Sequence, residues 1–303
     1  IESSLFLDGG GFDGIEILQE NIIFSTFYIL IFIIAVPGNA LALWAFFNQK
    51  ITSPSKLFLR HLSVADLSYI LILPMRMIYH LFDNYWPFGD ILCKLSGFLF
   101  YLNMYCSLYL MSFISLDRFL AVVLPIKSQT VRKVKYAQVA VGILWLTIIV
   151  STVPIIFSKN VANSTSNCNH LYLEKSSSKA LVSTIVAFFI PFTTTVVSYV
   201  LILLKLRTVQ QREASPAKDK AIKIIILIMM NFFLAFVPYY VCRVIYISHR
   251  DDHMTESLGR VNRITSALTC VSGVLDPVMY FFLNRTYRNK LTQLLCKNRE
   301  NNQ

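Results

Sequence analysis

The sequence predicts an all-α membrane protein: a seven-transmembrane helix bundle followed by a short cytoplasmic amphipathic helix. Three observations predict it. The chain of 303 residues is 55% hydrophobic and 15% charged, with a mean hydropathy of +0.56, which leaves too little polar surface to cover a soluble domain of that length. Its apolar residues fall in seven blocks, roughly 22–48, 57–82, 91–124, 136–158, 178–206, 219–248 and 259–283, each reaching the about 20 residues that a spanning helix needs. No block alternates with period 2, which argues against a barrel.

Charge gives the blocks their direction. Before the first block the chain carries Glu2, Asp8, Asp13, Glu16 and Glu20 but no Lys or Arg, whereas the loops after blocks 1, 3 and 5 and the tail are rich in both. By the positive-inside rule the N-terminus is extracellular. The expected division is an extracellular segment 1–21, a bundle 22–283, and a cytoplasmic helix with tail 284–303, in a multi-pass protein of the plasma membrane. The net charge of +11 is therefore topological, and no basic, aromatic groove points to nucleic acid. With no initiator Met and no signal peptide at residue 1, the chain reads as a trimmed or processed product.

Prolines punctuate the blocks in order: Pro37, Pro74, Pro154, Pro191, Pro238 and Pro277. Each frees a backbone carbonyl that a neighbour or water must satisfy, so six bent helices are expected. Of the six cysteines, Cys93 opens block 3 and Cys168 lies in the loop before block 5. Both fall outside, where disulfides persist, so a Cys93–Cys168 bridge is expected. Cys106, Cys242 and Cys270 read as packing residues. Cys296 follows the basic amphipathic stretch "RTYRNKLTQLLCK" and suits palmitoylation or a free thiol, with membrane lipids as partner. "NST" at Asn163 is a glycosylation sequon in an outside loop.

Ionisable residues inside spans mark function by default, and they form two layers. The inner layer holds Asn39, Asp66, Ser107, Ser272 and Asp276. Two carboxylates at one depth repel unless a cation or a proton intervenes. Two readings stand side by side: a Na⁺ ion held by oxygen ligands, or one carboxyl protonated in a hydrated network. The outer layer is basic: Arg76, Arg243 and Arg263, with His80 nearby and Tyr79, Tyr101, Tyr105, Tyr239 and Tyr240 around them. Three guanidiniums facing one cavity would call for an anion with an apolar part that packs on aromatic rings. Snorkelling, or pairing with Asp83, Asp251 or Glu256, is the alternative for each.

"FISLDRFLAV", residues 113–122, ends block 3 with Asp117 beside Arg118. Adjacent residues on a helix diverge by about 100°, yet a long Arg can reach back to Asp. The pair reads as a two-state element whose re-pairing couples to helix movement.

These residues carry a resemblance. With "GN" at 38–39, "SVADL" at 63–67, Cys93, "DRF" at 117–119, Trp145, Pro191, Tyr199, "FVPY" at 236–239 and "DPVMY" at 276–280, the chain resembles the rhodopsin family of G-protein-coupled receptors along essentially its whole length. "WPFG", "LNMYCSLY", "FVPYYVCR" and "LDPVMYFF" are similar to the branch holding purinergic nucleotide and cysteinyl-leukotriene receptors. The resemblance implies an extracellular anionic ligand, either a nucleotide or a lipid mediator such as a cysteinyl leukotriene or lysophospholipid. It implies a heterotrimeric G protein of the Gi or Gq class as partner, no covalent chemistry, and no cofactor beyond the candidate Na⁺. A basic residue at the place of Arg243 would meet the anion. Asp117, Arg118, Ile126, Tyr199, Phe236 and Tyr280 would serve activation and G-protein coupling. Phe236 stands where many members have Trp. Residues 1–30 and 249–263 contain no Cys, so the second outside disulfide common in that branch is missing.

Two rival readings are a receptor of high basal activity without a dedicated agonist, and an ion- or proton-coupled transporter using Asp66 and Asp276 as a relay. Blocks 1–3 and 5–7 share no repeat, which speaks against the transporter. No HExxH, GxSxG or phosphate-cradling Gly loop is present, so no enzyme is expected.

Overall fold

A computed structural model of the chain describes residues 9–157, 168, 171, 178–209, 216–248 and 255–300. These residues are mostly helical, with no strand among them. Twelve α-helices follow in order: α1 (Gly9–Phe47), α2 (Pro54–Ile70), α3 (Leu73–Leu81), α4 (Gly89–Val123), α5 (Pro125–Val131), α6 (Val134–Phe157), α7 (Ser178–Val209), α8 (Pro216–Asn231), α9 (Val237–Ser248), α10 (Thr255–Leu268), α11 (Ser272–Leu283) and α12 (Arg285–Glu300). They make seven helices long and apolar enough to cross a membrane, running Ile17–Phe47, Pro54–Leu81, Gly89–Val123, Val134–Phe157, Leu181–Arg207, Ile222–Ser248 and Ser257–Leu283. The predicted blocks agree with these to within a few residues.

The differences have local causes. Helix α1 begins at Gly9, so it runs through the boundary expected at residue 21. Buried Asn21 holds it there: its amide donates to Asp83 at 3.3 Å, and its oxygen lies 3.3 Å from His80 Nδ1. Pro74 breaks the second span into α2 and α3. The sixth span contains a π-helical turn, Phe232–Phe236, that ends two residues before Pro238, and the seventh a 3₁₀ turn, Thr269–Val271. Pro37, Pro154, Pro191 and Pro277 lie inside continuous helices.

Helix α4 is the central post, packed on α2, α6, α7 and the short α5. Helix α1 packs on α2, α3, α11 and α12. The contact of α1 with α11 needs Gly38, because a Cβ there would meet Pro277 Cγ at 2.8 Å. Pro277 lacks the N–H that would bond the Gly273 carbonyl four residues back. Asn39 supplies the missing donor: its Nδ2 bonds Gly273 O at 2.8 Å and Ala35 O at 3.0 Å. The dipeptide "GN" is thus a socket for the proline kink of another span.

Candidate functional site

In the outer half, Tyr101 and Tyr105 sit one turn apart on a single face of α4. Tyr239, Tyr240 and Arg243 follow the kink on α9. All five line one cavity of about 560 Å³. It is further walled by Met104 and Phe113 of α4 and by Leu144, Ile148 and Ile155 of α6. Arg243 is 3% exposed and is the cavity's one charged lining residue among those described. Its guanidinium lies 5.4 Å from the centre of the Tyr246 ring. The hydroxyls of Tyr101 and Tyr239 are 3.4 Å apart, and Tyr240 stacks on Phe188 at 4.4 Å. The cavity also opens sideways. Ile143, Thr147, Ser151 and Ser183 belong to its lining yet are exposed on the outside of the bundle, because α6 and α7 pack on α4 rather than on each other.

The other predicted outer residues lie apart from that cavity. Arg76 is fully buried beside it, with Nη2 donating to Leu171 O at 3.0 Å and its guanidinium 4.9 Å from the Phe100 ring. Tyr79 packs with Trp86, Cys93, Cys168 and Leu171 in a small second core. His80 stacks on Phe24 at 4.7 Å. Arg263 pairs with Glu20 at 4.0 Å, and Arg260 pairs with the same carboxylate at 3.2 Å. Glu20, on the first helix, is a partner that the sequence reading did not consider for Arg263. Cys93 and Cys168 are disulfide-bonded, with Cα atoms 5.6 Å apart. That bridge fixes Leu171 over Arg76.

The inner layer is tightly packed. Asp66 Oδ1 accepts from Asn103 at 3.0 Å and Ser107 at 3.4 Å, while Oδ2 accepts from the Tyr280 hydroxyl at 3.1 Å. Asp276 faces Asp66 and accepts from Asn231 at 2.8 Å. Asp276 Oδ2 and Asn231 Oδ1 are buried without a hydrogen-bond partner. Two expected members have other tasks: Asn39 braces the Pro277 kink, and Ser272 donates to Thr269 O at 2.8 Å. Asn103 and Asn231 were not anticipated, although an Asn in an apolar run ("LNMYC", "MMNFF") is itself a signal.

At the inner end the expected Asp117–Arg118 ion pair is present, and a closer partner joins it. Asp117 is clamped by Arg132, whose Nε and Nη2 donate to its two oxygens at 2.7 and 3.0 Å. Arg118 is 3.8 Å away. Ser55 of α2 bridges the two, donating to Asp117 and accepting from Arg118. The bidentate fork from the end of α5 lies closer than the neighbour on the same helix, which cannot turn both donors back. Tyr199 accepts from Ser115 at 2.8 Å, and Tyr280 is turned inward to Asp66, so neither reaches Arg118 by a hydrogen bond. Phe236 is buried against Phe232, at 5.8 Å between ring centres. Ile126 is 85% exposed at the start of α5. Asn163 lies outside the described residues, as does the side chain of Cys296.

Residues 38–280 match the family described as 7 transmembrane receptor (rhodopsin family). The uracil nucleotide/cysteinyl leukotriene receptor of Homo sapiens is 46% identical over 294 residues, 94% of this chain and 80% of that protein. Cysteinyl leukotriene receptor 1 of Sus scrofa is 30% identical over 288 residues, covering 90% of this chain and 84% of that protein. A purinoceptor of Rattus norvegicus is 30% identical over 285 residues, covering 89% and 76% respectively.

Proposed function

Because the chain belongs to the rhodopsin family of seven-transmembrane, G-protein-coupled receptors, we propose that its outer cavity takes an anionic amphiphile and that occupancy is passed to a heterotrimeric G protein of the Gi or Gq class. One observation carries the ligand class: Arg243 heads a cavity whose remaining walls are tyrosines and apolar side chains. A single guanidinium suits a single carboxylate or phosphate head. The apolar wall from Met104 to Phe113, and the opening between α6 and α7, suit a hydrocarbon tail arriving through the bilayer. A nucleotide would ask for several cations on its phosphates, and Arg76 and Arg263 are held elsewhere. The names of the similar receptors include both ligand types, and the cavity favours the lipid one. In this reading the N-terminus faces outward at the plasma membrane, Asn163 is glycosylated and Cys296 is palmitoylated.

The G protein would approach Ile126 and Arg118 once the sixth span moves. The inner layer fits a small hard cation: Asp66, Ser107 and Asp276 supply oxygens, and the unpartnered Asp276 Oδ2 and Asn231 Oδ1 have capacity to spare. A bound Na⁺ would screen two carboxylates that otherwise repel and would favour the inward position of Tyr280.

The test is a panel of leukotriene, lysophospholipid, fatty-acid and uracil-nucleotide ligands read on Gi and Gq activation sensors. We expect activation by anionic single-chain lipids. Activation by nucleotides alone would overturn the assignment.

A further inference from the structure

The inner end of the first span carries a second cationic feature unrelated to the ligand cavity. Trp44 and Phe47 are one turn apart on α1, hence on the same face, and both are about half exposed (49% and 52%). Each ring is capped by a cation from a different element. Arg60 of α2 lies 3.6 Å from the Phe47 ring centre, and Lys290 of α12 lies 4.5 Å from the Trp44 ring centre. Three elements therefore converge two cations on one lipid-level face of α1. Neither makes an ion pair with a described residue.

The sequence around them holds no carboxylate to neutralise them. Residues 40–65 and 277–299 contain no Asp or Glu, yet they contain Lys50, Lys56, Arg60, Arg285, Arg288 and Lys290. Two cations over neighbouring rings of one helix face, with no carboxylate nearby in sequence, repel, and the cost falls when an anion sits between them. The patch also lies away from the cytoplasmic mouth. Ser55, which bridges Asp117 and Arg118, and Arg60 are five residues apart on α2, about 140° around the helix.

We infer that Arg60 and Lys290, over Phe47 and Trp44, form a binding site for an inner-leaflet phospholipid whose headgroup carries phosphomonoester groups. Trp44 lies near the inner end of the first span, where interfacial Trp is enriched at the headgroup level. The two cations meet a headgroup bearing more than one negative charge, and the surrounding lysines and arginines add attraction that falls off within a Debye length. A headgroup with a single net charge would leave one of the two cations uncompensated.

The test uses the full chain in nanodiscs of phosphatidylcholine with either phosphatidylserine or phosphatidylinositol bisphosphate, with retained lipid counted by native mass spectrometry. Wild type should retain the bisphosphate lipid in preference to both others. The Arg60→Gln/Lys290→Gln variant should lose that preference by about 25-fold, at about fivefold per interfacial cation. Arg60→Lys/Lys290→Arg should keep most of it, which separates lost binding from lost folding. Lys133→Gln/Lys135→Gln removes the same charge from the exposed start of α6 and should retain wild-type preference. Equal losses in the two neutralised pairs would reduce the patch to diffuse inside-positive attraction and overturn the site. Equal retention of phosphatidylserine and the bisphosphate lipid would overturn the phosphomonoester assignment.

Discussion

The outer and inner halves of the bundle bury charge in opposite ways. In the outer half, Arg243 stands among tyrosine rings at the head of a cavity of about 560 Å³. In the inner half, Asp66 and Asp276 are wrapped by Asn103, Ser107, Asn231 and Tyr280 with little open space. The outer arrangement leaves open volume beside its charge. The inner one is held largely by hydrogen bonds among its own side chains. A receptor needs both: a place where a ligand adds free energy, and a set of near-equivalent pairings for that free energy to shift.

The sharpest way to break this contrast is at Arg243. Arg243→Ala should weaken an anionic lipid agonist by about 2–5 kcal/mol, as truncation of one partner of a buried charge pair does, with basal signalling little changed. Dose–response curves at matched surface expression measure it. Unchanged potency would mean that the outer half does not await an anion. Gly38→Ala comes next, since its Cβ would lie 2.8 Å from Pro277. Overpacking of about 1–3 kcal/mol should lower the melting temperature in detergent, and a neutral result would show that the α1–α11 seam yields.

Arg132→Gln tests whether the inner half is held by internal pairing. Arg132 is a quarter exposed, so the clamp is partly screened, and its loss should cost about 1 kcal/mol. Basal G-protein activation should rise about fivefold, while Lys133→Gln should leave it alone. The smallest effect is expected from sodium. Raising Na⁺ should reduce agonist affinity severalfold in wild type and not in Asp66→Asn. Sodium dependence that survives in Asp66→Asn would leave a shared proton as the account of the two carboxyls.

Most of the architecture was legible because hydrocarbon admits few alternatives: a run of about 20 apolar residues must be helix. The aromatic side of the outer cavity was legible for the same reason, since Tyr101 and Tyr105 repeat at helical spacing and Arg243 lies just beyond Pro238. The pairings were less so. Arg132 lies 15 residues beyond Asp117 on a separate short helix, and Glu20 lies over 200 residues before Arg263. Nothing in local spacing selects those partners over nearer ones, because side-chain reach across helices depends on how the helices pack. Arg76, Tyr79, His80 and Arg263 had been grouped with Arg243 by depth alone. Depth does not fix the direction a residue faces, and the structure distributes them around the back of the cavity.

The π-helical turn Phe232–Phe236 has a consequence best put as phase. A turn of this kind takes one extra residue into the helix, so every position beyond Phe236 is set back by about 100° relative to an unbroken α-helix. Tyr239, Tyr240 and Arg243 owe their bearing toward the cavity to that offset. Absorbing the extra residue would swing all three off the cavity together without any change in depth. The bearing of the outer half of the sixth span is thus set by the five residues that precede Val237.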